Sequence, residues 1–452
     1  MRVSEAVQAV ASRRPMGKWH ASQRPSVQRW VVSLLNEATQ NDASILDPSL
    51  VAFRQLVNSS QNWKALSNNM FIQSSKNYDP TGAPALKSFD EFIHAVNVII
   101  KSAPPFLGEN VPPTAMGLIG FPINAVLDWP MGTMAGYEFW LIPAINASFK
   151  VVLNTWGTFL KSPASQAGLK DWLSLSALQT MAQVANGGQV ELSFDQIFVC
   201  DPAAPFHGFE SWDAFFTRRF RKGLRPVDFP DDAAPTCQCL DPTLVISNAC
   251  ESAPLQVVES VQLHDQFWLK SQPYSLDRML NSNPMTSLFV NGTVYQAFLS
   301  AESYHRWHAP VSGTVVGLDL VPGSYYSENY FEGLSGCWRD LDPAAPNYSQ
   351  PYISAVATRA IIWIQANNPA IGLMAIVFIG MAEVAGCEFT VSVNDSLSKG
   401  QEIGMFHFGG SSYCMVFRKE VKLSFFDQPP WGMTKEKNNF VNSALAIAST
   451  RV

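Results

Sequence analysis

Gly404-Met-Phe-His-Phe-Gly-Gly-Ser-Ser-Tyr-Cys414 places a Gly-Gly-Ser-Ser step inside an apolar, strand-like segment near the end of the chain. The step can be an ordinary turn. It can also be reactive, because glycine puts no side chain in the way of an attack by the Ser411 hydroxyl on the Gly410 carbonyl. The peptide bond would become an ester, and elimination with hydrolysis would leave a pyruvoyl group in place of Ser411. That ketone, conjugated to an amide, is an electron sink made from the chain itself.

Composition is typical of a globular protein and argues against some partners. With 452 residues, of which 47% are hydrophobic and 15% charged, the chain is long enough for two or three domains with well-filled cores. The formal net charge of −6 gives no general attraction to nucleic acid or to anionic lipid. We therefore expect no nucleic-acid partner.

Cysteine and histidine usage argues against disulfides and metals. The seven cysteines are odd in number and scattered, and Cys237 and Cys239 are one residue too close for a Cys-x-x-Cys pair. Among the seven histidines only His305 and His308 form a close pair, so we expect no metal centre. Residues 1–10 contain charges and lack a long apolar run, so they do not indicate a secretory signal. These features predict a reduced, cytoplasmic location.

The longest uncharged run, Ala360–Ala382, is long enough to be considered as a membrane helix. Gln365-Ala-Asn-Asn-Pro369 interrupts it with polar residues and a proline. The flanking segments, Ile361–Ile364 and Leu373–Ile379, are apolar and of strand length. We predict two buried strands joined by a turn, and no membrane span.

The chain divides into a helical part and a β-rich part. Apolar residues recur at helical spacing in Val27–Asn36, Phe89–Ile100 and Asn146–Leu160, and a short helix is predicted at Asp213–Phe220. Beyond Pro226, strands are predicted at Leu244–Ser247, Val257–Val261, Val294–Phe298, Thr314–Leu318, Ala355–Ile364, Leu373–Ile379, Glu388–Val393, Met405–Phe408 and Tyr413–Phe417. The predicted fold is α+β, with a helical N-terminal region over residues 1–195 and a β-rich catalytic domain over residues 196–452.

Tyr304-His-Arg-Trp-His-Ala-Pro310 is a second motif that could carry chemistry. Two histidines three residues apart are more often structural residues held by hydrogen bonds. Near a Gly–Ser attack site they can instead supply a neutral imidazole base, because histidine titrates near neutral pH. The basic cluster Arg218–Arg225 is interpreted as a solvated helix face, with anion binding as the less favoured alternative.

Together these motifs resemble the phosphatidylserine decarboxylases, a pyruvoyl-dependent family, over about residues 205–425. Matching segments follow the family's order: Phe209–Phe220 with Arg225-Pro226, Tyr274–Leu276, Phe289–Gly292, Tyr304–Pro310, Ile379-Gly380 and Lys399–Ser411. Within the family the chain looks most like the soluble fungal branch that decarboxylates free aromatic amino acids, including tryptophan decarboxylases. The marks of that branch are Asn154–Leu160, Asn248–Ser252, Val377–Met381 and the Ser-Ser ending.

The resemblance implies how the chain matures. Cleavage between Gly410 and Ser411 would give a β chain of residues 1–410 and an α chain of residues 411–452 that begins with the pyruvoyl group. His308 matches the histidine that assists self-cleavage. His305 matches the one that lies near substrate during decarboxylation.

One part of the family pattern is missing. The family's Pro-Ala-Asp-Gly motif supplies an aspartate that orients the cleavage histidine, but here the sequence is Asn248-Ala-Cys-Glu251, with Cys250 in the aspartate's place. Glu251 is the candidate acid that would orient His308 instead. Adjacent side chains on a strand point to opposite faces, so this substitution requires a local bend or a register shift.

The implied activity is that of a carboxy-lyase that uses its own pyruvoyl group and no PLP. A substrate amine would form a Schiff base with the ketone, carbon dioxide would leave, and His305 would protonate the remaining carbanion. Free tryptophan, phenylalanine or tyrosine suits this aromatic-rich chain, and the product would be the arylalkylamine. The alternative substrate is phosphatidylserine, which would give phosphatidylethanolamine.

Two other classes stay open from the residues alone. Intact Ser411 with His308 could serve a hydrolase, although the usual Gly-x-Ser-x-Gly elbow is missing. His308–Val316 and Ser398–Gly404 also resemble the hairpins of lipoyl-type modules, which would make the domain non-catalytic. Both a monomer and a homodimer are compatible with the sequence.

Overall fold

The computed structural model describes most of both predicted parts of the chain. The described residues are 24–40, 45–74, 86–106, 121–188, 191–232, 240–264, 274–300, 302–327, 349–381, 383, 386–427 and 438–450. The predictions made for residues 1–10, Cys237 and Cys239 lie outside them.

Helices form the N-terminal part. They span Arg24–Gln40, Pro48–Asn58, Gln61–Ser74, Phe89–Ile99, Pro122–Met131, Met134–Trp140, Pro143–Lys161, Leu169–Trp172, Leu175–Ala185, Phe194–Ile197 and Trp212–Phe216. Short polar residues before several of these helices accept a backbone N–H from the first turn: Asp47, Ser88, Thr133, Ser174 and Ser211. The three helices expected from apolar periodicity all form. The helix expected at Asp213–Phe220 ends earlier, because Phe220 instead forms a bridge with Phe198.

Strands form the C-terminal part, with short helices at Leu276–Met279 and Gln350–Val356. The strands are β1 (Val245–Ser247), β2 (Ala253–Glu259), β3 (Thr293–Leu299), β4 (Arg306–His308), β5 (Gly313–Val321), β6 (Arg359–Ala366), β7 (Leu373–Met381), β8 (Cys387–Phe389), β9 (Ser396–Leu397), β10 (Glu402–Phe406), β11 (Gly410–Phe417), β12 (Val421–Phe425) and β13 (Ala444–Thr450). The α+β fold is therefore confirmed.

The described strands form three antiparallel sheets. The largest has the order β2-β3-β11-β7-β6-β5-β9, and the two smaller ones are β1-β13-β12 and β4-β10-β8. Strands β6 and β7 pair with each other and are buried on both faces, which explains their nearly continuous apolar sequence. The long uncharged run thus folds as the predicted hairpin. In the described part of the chain, no helix is long and apolar enough to cross a membrane.

The strand predicted at Ala355–Ile364 is wrong at its beginning. Ala355 belongs to the helix Gln350–Val356, and β6 begins only at Arg359. The buried Arg359 side chain holds this junction, because it donates hydrogen bonds to the carbonyls of Ala357 and Met279 at 2.8 Å each. An apolar pattern alone does not reveal such a junction.

Phe408, just before the Gly-Gly-Ser-Ser step, joins the helical part to the sheets. Its ring lies against four aromatic rings, with centroid distances of 6.4 Å to Phe121, 5.0 Å to Trp156, 4.7 Å to Trp212 and 5.6 Å to Phe216. The helical core therefore continues to the edge of the proposed cleavage site. The division between residues 195 and 196 stays a prediction.

Candidate active site

Ser411 lies in the second position of β11, between two neighbouring strands. It pairs with Leu299 of β3 and with Gly380 of β7. Its side chain is fully buried, and its hydroxyl has no hydrogen-bond partner among the described residues. Gly409 has a φ of 140°, a conformation that favours glycine. An unpaired buried hydroxyl next to the Gly410 carbonyl fits conversion into a pyruvoyl group.

Ser412 faces the opposite side of the sheet and is held there by polar side chains. Its hydroxyl lies 3.4 Å from Nε2 of Gln296. Gln296 also accepts a short hydrogen bond from the Tyr274 hydroxyl, and Tyr274 accepts another from Gln256 at 2.7 Å. The two adjacent serines are thus distinguished by their surroundings, since only Ser411 has a hydroxyl without a partner.

His308 is held by two neighbours through its two ring nitrogens. Nδ1 lies 2.8 Å from the Gly400 carbonyl, and Nε2 lies 3.0 Å from the Tyr304 hydroxyl. A carbonyl can only accept, so Nδ1 carries the proton and Nε2 accepts from Tyr304. Burial lowers the pKa of His308, which keeps the ring neutral. The described geometry contains no hydrogen bond between His308 and Ser411.

The prediction that Glu251 orients His308 is not supported by the contacts that Glu251 makes. Its carboxylate binds Arg225 through two hydrogen bonds, of 2.5 and 3.0 Å, and accepts the backbone N–H of Val441 at 2.8 Å. Cys250 and Glu251 lie in the bend between β1 and β2, where Cys250 enters the sheet core and Glu251 is held by Arg225, which also binds the Ala185 carbonyl of the helical part. Gly400 and Tyr304 hold His308 instead.

The segment around Cys250 does lie beside His308, as the resemblance implied. The backbone N–H of His308 donates to the Ala249 carbonyl at 2.8 Å. Burial raises the pKa of the Cys250 thiol well above its ordinary value, and the nearby Glu251 adds to the effect. Cys250 therefore stays uncharged and cannot replace an aspartate electrostatically.

His305 is buried against an aromatic ring. It stacks on Phe216 with a centroid distance of 3.9 Å and an angle of 21°. Burial lowers the pKa of His305 well below its ordinary value, and Arg218 adds to this shift, while backbone groups of Ser300 and Ser303 oppose it. The imidazole is therefore neutral near pH 7, so it must first accept a proton before it can donate one as an imidazolium.

The basic cluster Arg218–Arg225 was predicted to be a solvated helix face, and this is wrong for its best-buried members. Arg218 donates to the carbonyls of Glu302 and Ser303 at 2.5 and 3.3 Å, just before the two-histidine motif. Arg225 lies between the rings of Phe220 and Phe440, 4.2 and 4.1 Å from their centroids. These two arginines therefore stabilise the site through buried hydrogen bonds and contacts with aromatic rings.

His407 was not predicted to matter, and it connects the site to the helical part. Its Nδ1 lies 3.0 Å from Asp213, and its Nε2 lies 2.9 Å from Glu388. Burial acts to lower the pKa of His407, but the two carboxylates outweigh burial and raise it. His407 lies in the Gly404–Cys414 stretch, but its two acidic partners come from other segments and could not be predicted from that stretch.

The sequence also matches known proteins. The family profile for phosphatidylserine decarboxylase matches residues 212–435, and a second profile with that description matches residues 47–181. The protein named decarboxylase iboD, from Amanita muscaria, is 39% identical over 342 residues, which cover 72% of this chain and 91% of the relative. The L-tryptophan decarboxylase of Psilocybe cubensis is 36% identical, covering 76% of this chain and 75% of the relative. That of Psilocybe cyanescens is also 36% identical, with 69% and 71% covered.

A buried Gly–Ser step between antiparallel strands, taken together with these matches, fits a decarboxylase of the pyruvoyl-dependent class. The chain belongs to the phosphatidylserine decarboxylase family and is a carboxy-lyase. The hydrolase and lipoyl-type interpretations are therefore wrong.

Proposed function

We propose that this protein decarboxylates a free aromatic L-amino acid, after cleavage between Gly410 and Ser411 converts Ser411 into a pyruvoyl group. The observation that carries the proposal is the Ser411 hydroxyl, which is fully buried and unpaired beside a glycine carbonyl. Relatives named L-tryptophan decarboxylase support the substrate class. The pyruvoyl group would supply the electron sink that decarboxylation requires.

His308 is the proposed base for self-cleavage. With the proton fixed on Nδ1 by Gly400, the lone pair of Nε2 is available to accept the proton of Ser411. That lone pair now accepts a hydrogen bond from Tyr304, so His308 has to exchange this partner for Ser411 when cleavage begins. Tyr304 thus holds the base in the correct tautomer until then.

His305 is the proposed proton carrier during turnover. A substrate ammonium group must lose a proton before its nitrogen can act as a nucleophile, and a neutral, buried imidazole can accept that proton. The same ring can then return the proton to carbon after carbon dioxide leaves. The stacking of His305 on Phe216 fixes the ring plane for both transfers.

Aromatic residues close to His305 favour an aromatic substrate. Phe216 contacts His305, and both Trp212 and Phe408 pack against Phe216. Burial of an aromatic ring against such residues stabilises binding by roughly 2–3 kcal/mol.

The experiment is a comparison of carbon dioxide release from carboxyl-labelled tryptophan, tyrosine, phenylalanine and phosphatidylserine by the purified protein. We expect release from at least one aromatic amino acid and none from the phospholipid. Release from phosphatidylserine alone would overturn the proposed substrate class.

A further inference from the structure

Glu383 is a buried carboxyl group close in sequence to the strand that pairs with the cleavage site. It follows β7 by two residues, and Met381 at the end of β7 pairs with Gly410. The side chain is 3% exposed. One oxygen, Oε1, accepts the backbone N–H groups of Ile123 and Asn124 at 2.7 and 2.9 Å, at the beginning of the helix Pro122–Met131.

The other oxygen of Glu383 has no hydrogen-bond partner among the described residues, although it is buried. Two more buried polar atoms share this property in the same described ranges, namely Nδ2 of Asn124, whose backbone N–H binds Glu383, and the hydroxyl of Tyr326. Burial, and next the charge of Glu383, raise the pKa of Tyr326. Burial raises the pKa of Glu383 itself to about 8. Buried polar groups without partners are rare, and a ligand is one reason for them.

The neighbourhood of these atoms is aromatic. The ring of Tyr326 lies 5.1 Å from that of Trp140 and 5.8 Å from that of Phe149. Phe121, which immediately precedes the helix that binds Glu383, stacks on Phe408 at 6.4 Å. Unpaired polar atoms within an aromatic environment suit a flat ring that carries one polar group on its edge.

The sequence separation fits a position at the far end of a substrate. Ser411 lies opposite Gly380, and Glu383 follows Gly380 by three residues, which limits the separation of the Gly380 and Glu383 Cα atoms to roughly 10 Å or less. The side chains of an arylalkyl amino acid and of glutamate can together cover such a distance. At such a distance the carboxyl group of Glu383 is better placed to contact the ring of a substrate than its reacting carbon.

We propose that the unpaired oxygen of Glu383 accepts the N–H of an indole ring, and so favours tryptophan-like substrates over rings of the same shape without that donor. This inference rests on the proposed function. The ionised carboxylate, which predominates above the raised pKa of about 8, can accept the N–H, whereas the amide nitrogen of glutamine in its place can only donate, so binding is measured at about pH 9. The other oxygen would continue to accept from Ile123 and Asn124 in a Glu383→Gln variant.

The test measures binding with ligands that cannot react. The probes are 3-indolepropionate and 3-(benzothiophen-3-yl)propionate. They have nearly the same shape and no amine, and they differ because sulfur in the second replaces the ring N–H of the first. Calorimetry would give both dissociation constants for the wild-type protein, for Glu383→Gln and for the control Glu420→Gln, which changes an exposed carboxylate. The thermal midpoint of each variant, and cleavage into two chains, would show that it folds and matures.

We expect the wild-type protein and the control to bind the indole acid about tenfold more tightly than its isostere, and Glu383→Gln to reduce this ratio to near one. An unchanged ratio in Glu383→Gln, or equal binding of both probes by the wild-type protein, would overturn the inference. A parallel comparison of decarboxylation of tryptophan and 3-benzothienylalanine separates the two proposals. If tryptophan is turned over normally but Glu383→Gln leaves the ratio of the two dissociation constants unchanged, only the role of Glu383 is refuted. If Glu383→Gln changes that ratio but the wild-type protein turns over no aromatic amino acid, only the proposed function is refuted.

Discussion

The Tyr304 hydroxyl lies 3.0 Å from Nε2 of His308, the ring nitrogen proposed to take the proton of Ser411. The hydrogen bond holds His308 in one tautomer while the chain is uncleaved, and Gly400 reinforces the same tautomer through Nδ1. The proposed base is therefore held in one tautomer by Tyr304 and Gly400 rather than by an acidic residue.

Replacing His308 and Tyr304 separately should have unequal effects on maturation. We expect His308→Ala to slow self-cleavage by about 10²- to 10⁴-fold, the usual contribution of a general base. Tyr304→Phe should change the rate by less than about tenfold, because the Gly400 carbonyl still fixes the tautomer. The measurement is the time course of uncleaved chain after synthesis, followed by denaturing electrophoresis. Cleavage of His308→Ala at the wild-type rate would show that another group is the base.

Removing Glu251 should destabilise the fold, with the cleavage chemistry affected only indirectly. Glu251 is 1% exposed and pairs with Arg225, so Glu251→Ala leaves a buried guanidinium without its counter-ion. We expect the free energy of unfolding to fall by about 3–5 kcal/mol. The double variant Arg225→Met with Glu251→Leu should lose less unfolding free energy than Glu251→Ala, because it removes both charges. If Glu251→Ala kept its stability but was not cleaved, this would indicate that Glu251 does act as the acid that orients His308.

The stabilising effect of His407 should depend on pH. The raised pKa of His407 means that the folded state holds its proton more tightly than the unfolded state, whose histidine titrates near 6.5. The contribution is therefore fully present below about pH 6.5 and is lost as pH rises through the raised pKa. Asp213 and Glu388 favour the charged ring, while Lys161 opposes it.

We expect His407→Gln to lower the thermal midpoint more at about pH 6 than at about pH 9. Scanning calorimetry of both proteins across this range gives the difference. A difference that is constant with pH would mean that His407 is not protonated in the folded state.

The sequence predicted the architecture well where one pattern determines the structure. The polar break at Gln365–Pro369 correctly divided a membrane-like run into β6 and β7, because a buried hairpin needs apolar strands and a polar turn. The sequence did not predict the helix Gln350–Val356, whose apolar residues extend into β6 without an obvious break. Strand β4, at Arg306–His308, was not predicted, because three residues are too few to show an alternation of apolar and polar side chains.

The site was predicted less completely, because contacts between residues far apart along the chain cannot be predicted from a local sequence pattern. The Gly–Ser step and the two histidines were visible as motifs. The partners of Glu251, His407 and Glu383 come from segments that are distant along the chain, and only folding brings them together. A charge cluster such as Arg218–Arg225 likewise looks solvated until its buried acceptors are known.

The Ser411 and Ser412 positions provide a matched pair of variants. Ser411 has the unpaired hydroxyl, whereas Ser412 contacts Gln296 on the other face of the sheet. We expect Ser411→Ala to stay uncleaved and to release no carbon dioxide, because no hydroxyl can attack Gly410. Ser412→Ala should still be cleaved at the same bond. Equal loss of cleavage in both variants would mean that the strand, and not the Ser411 hydroxyl, is what cleavage requires.

The most direct measurement is the mass of the denatured, purified wild-type protein, compared with its activity. We expect two chains, of residues 1–410 and 411–452, the second beginning with a pyruvoyl group instead of serine. A protein that releases carbon dioxide from its substrate while showing only the mass of the intact, unmodified chain would contradict it.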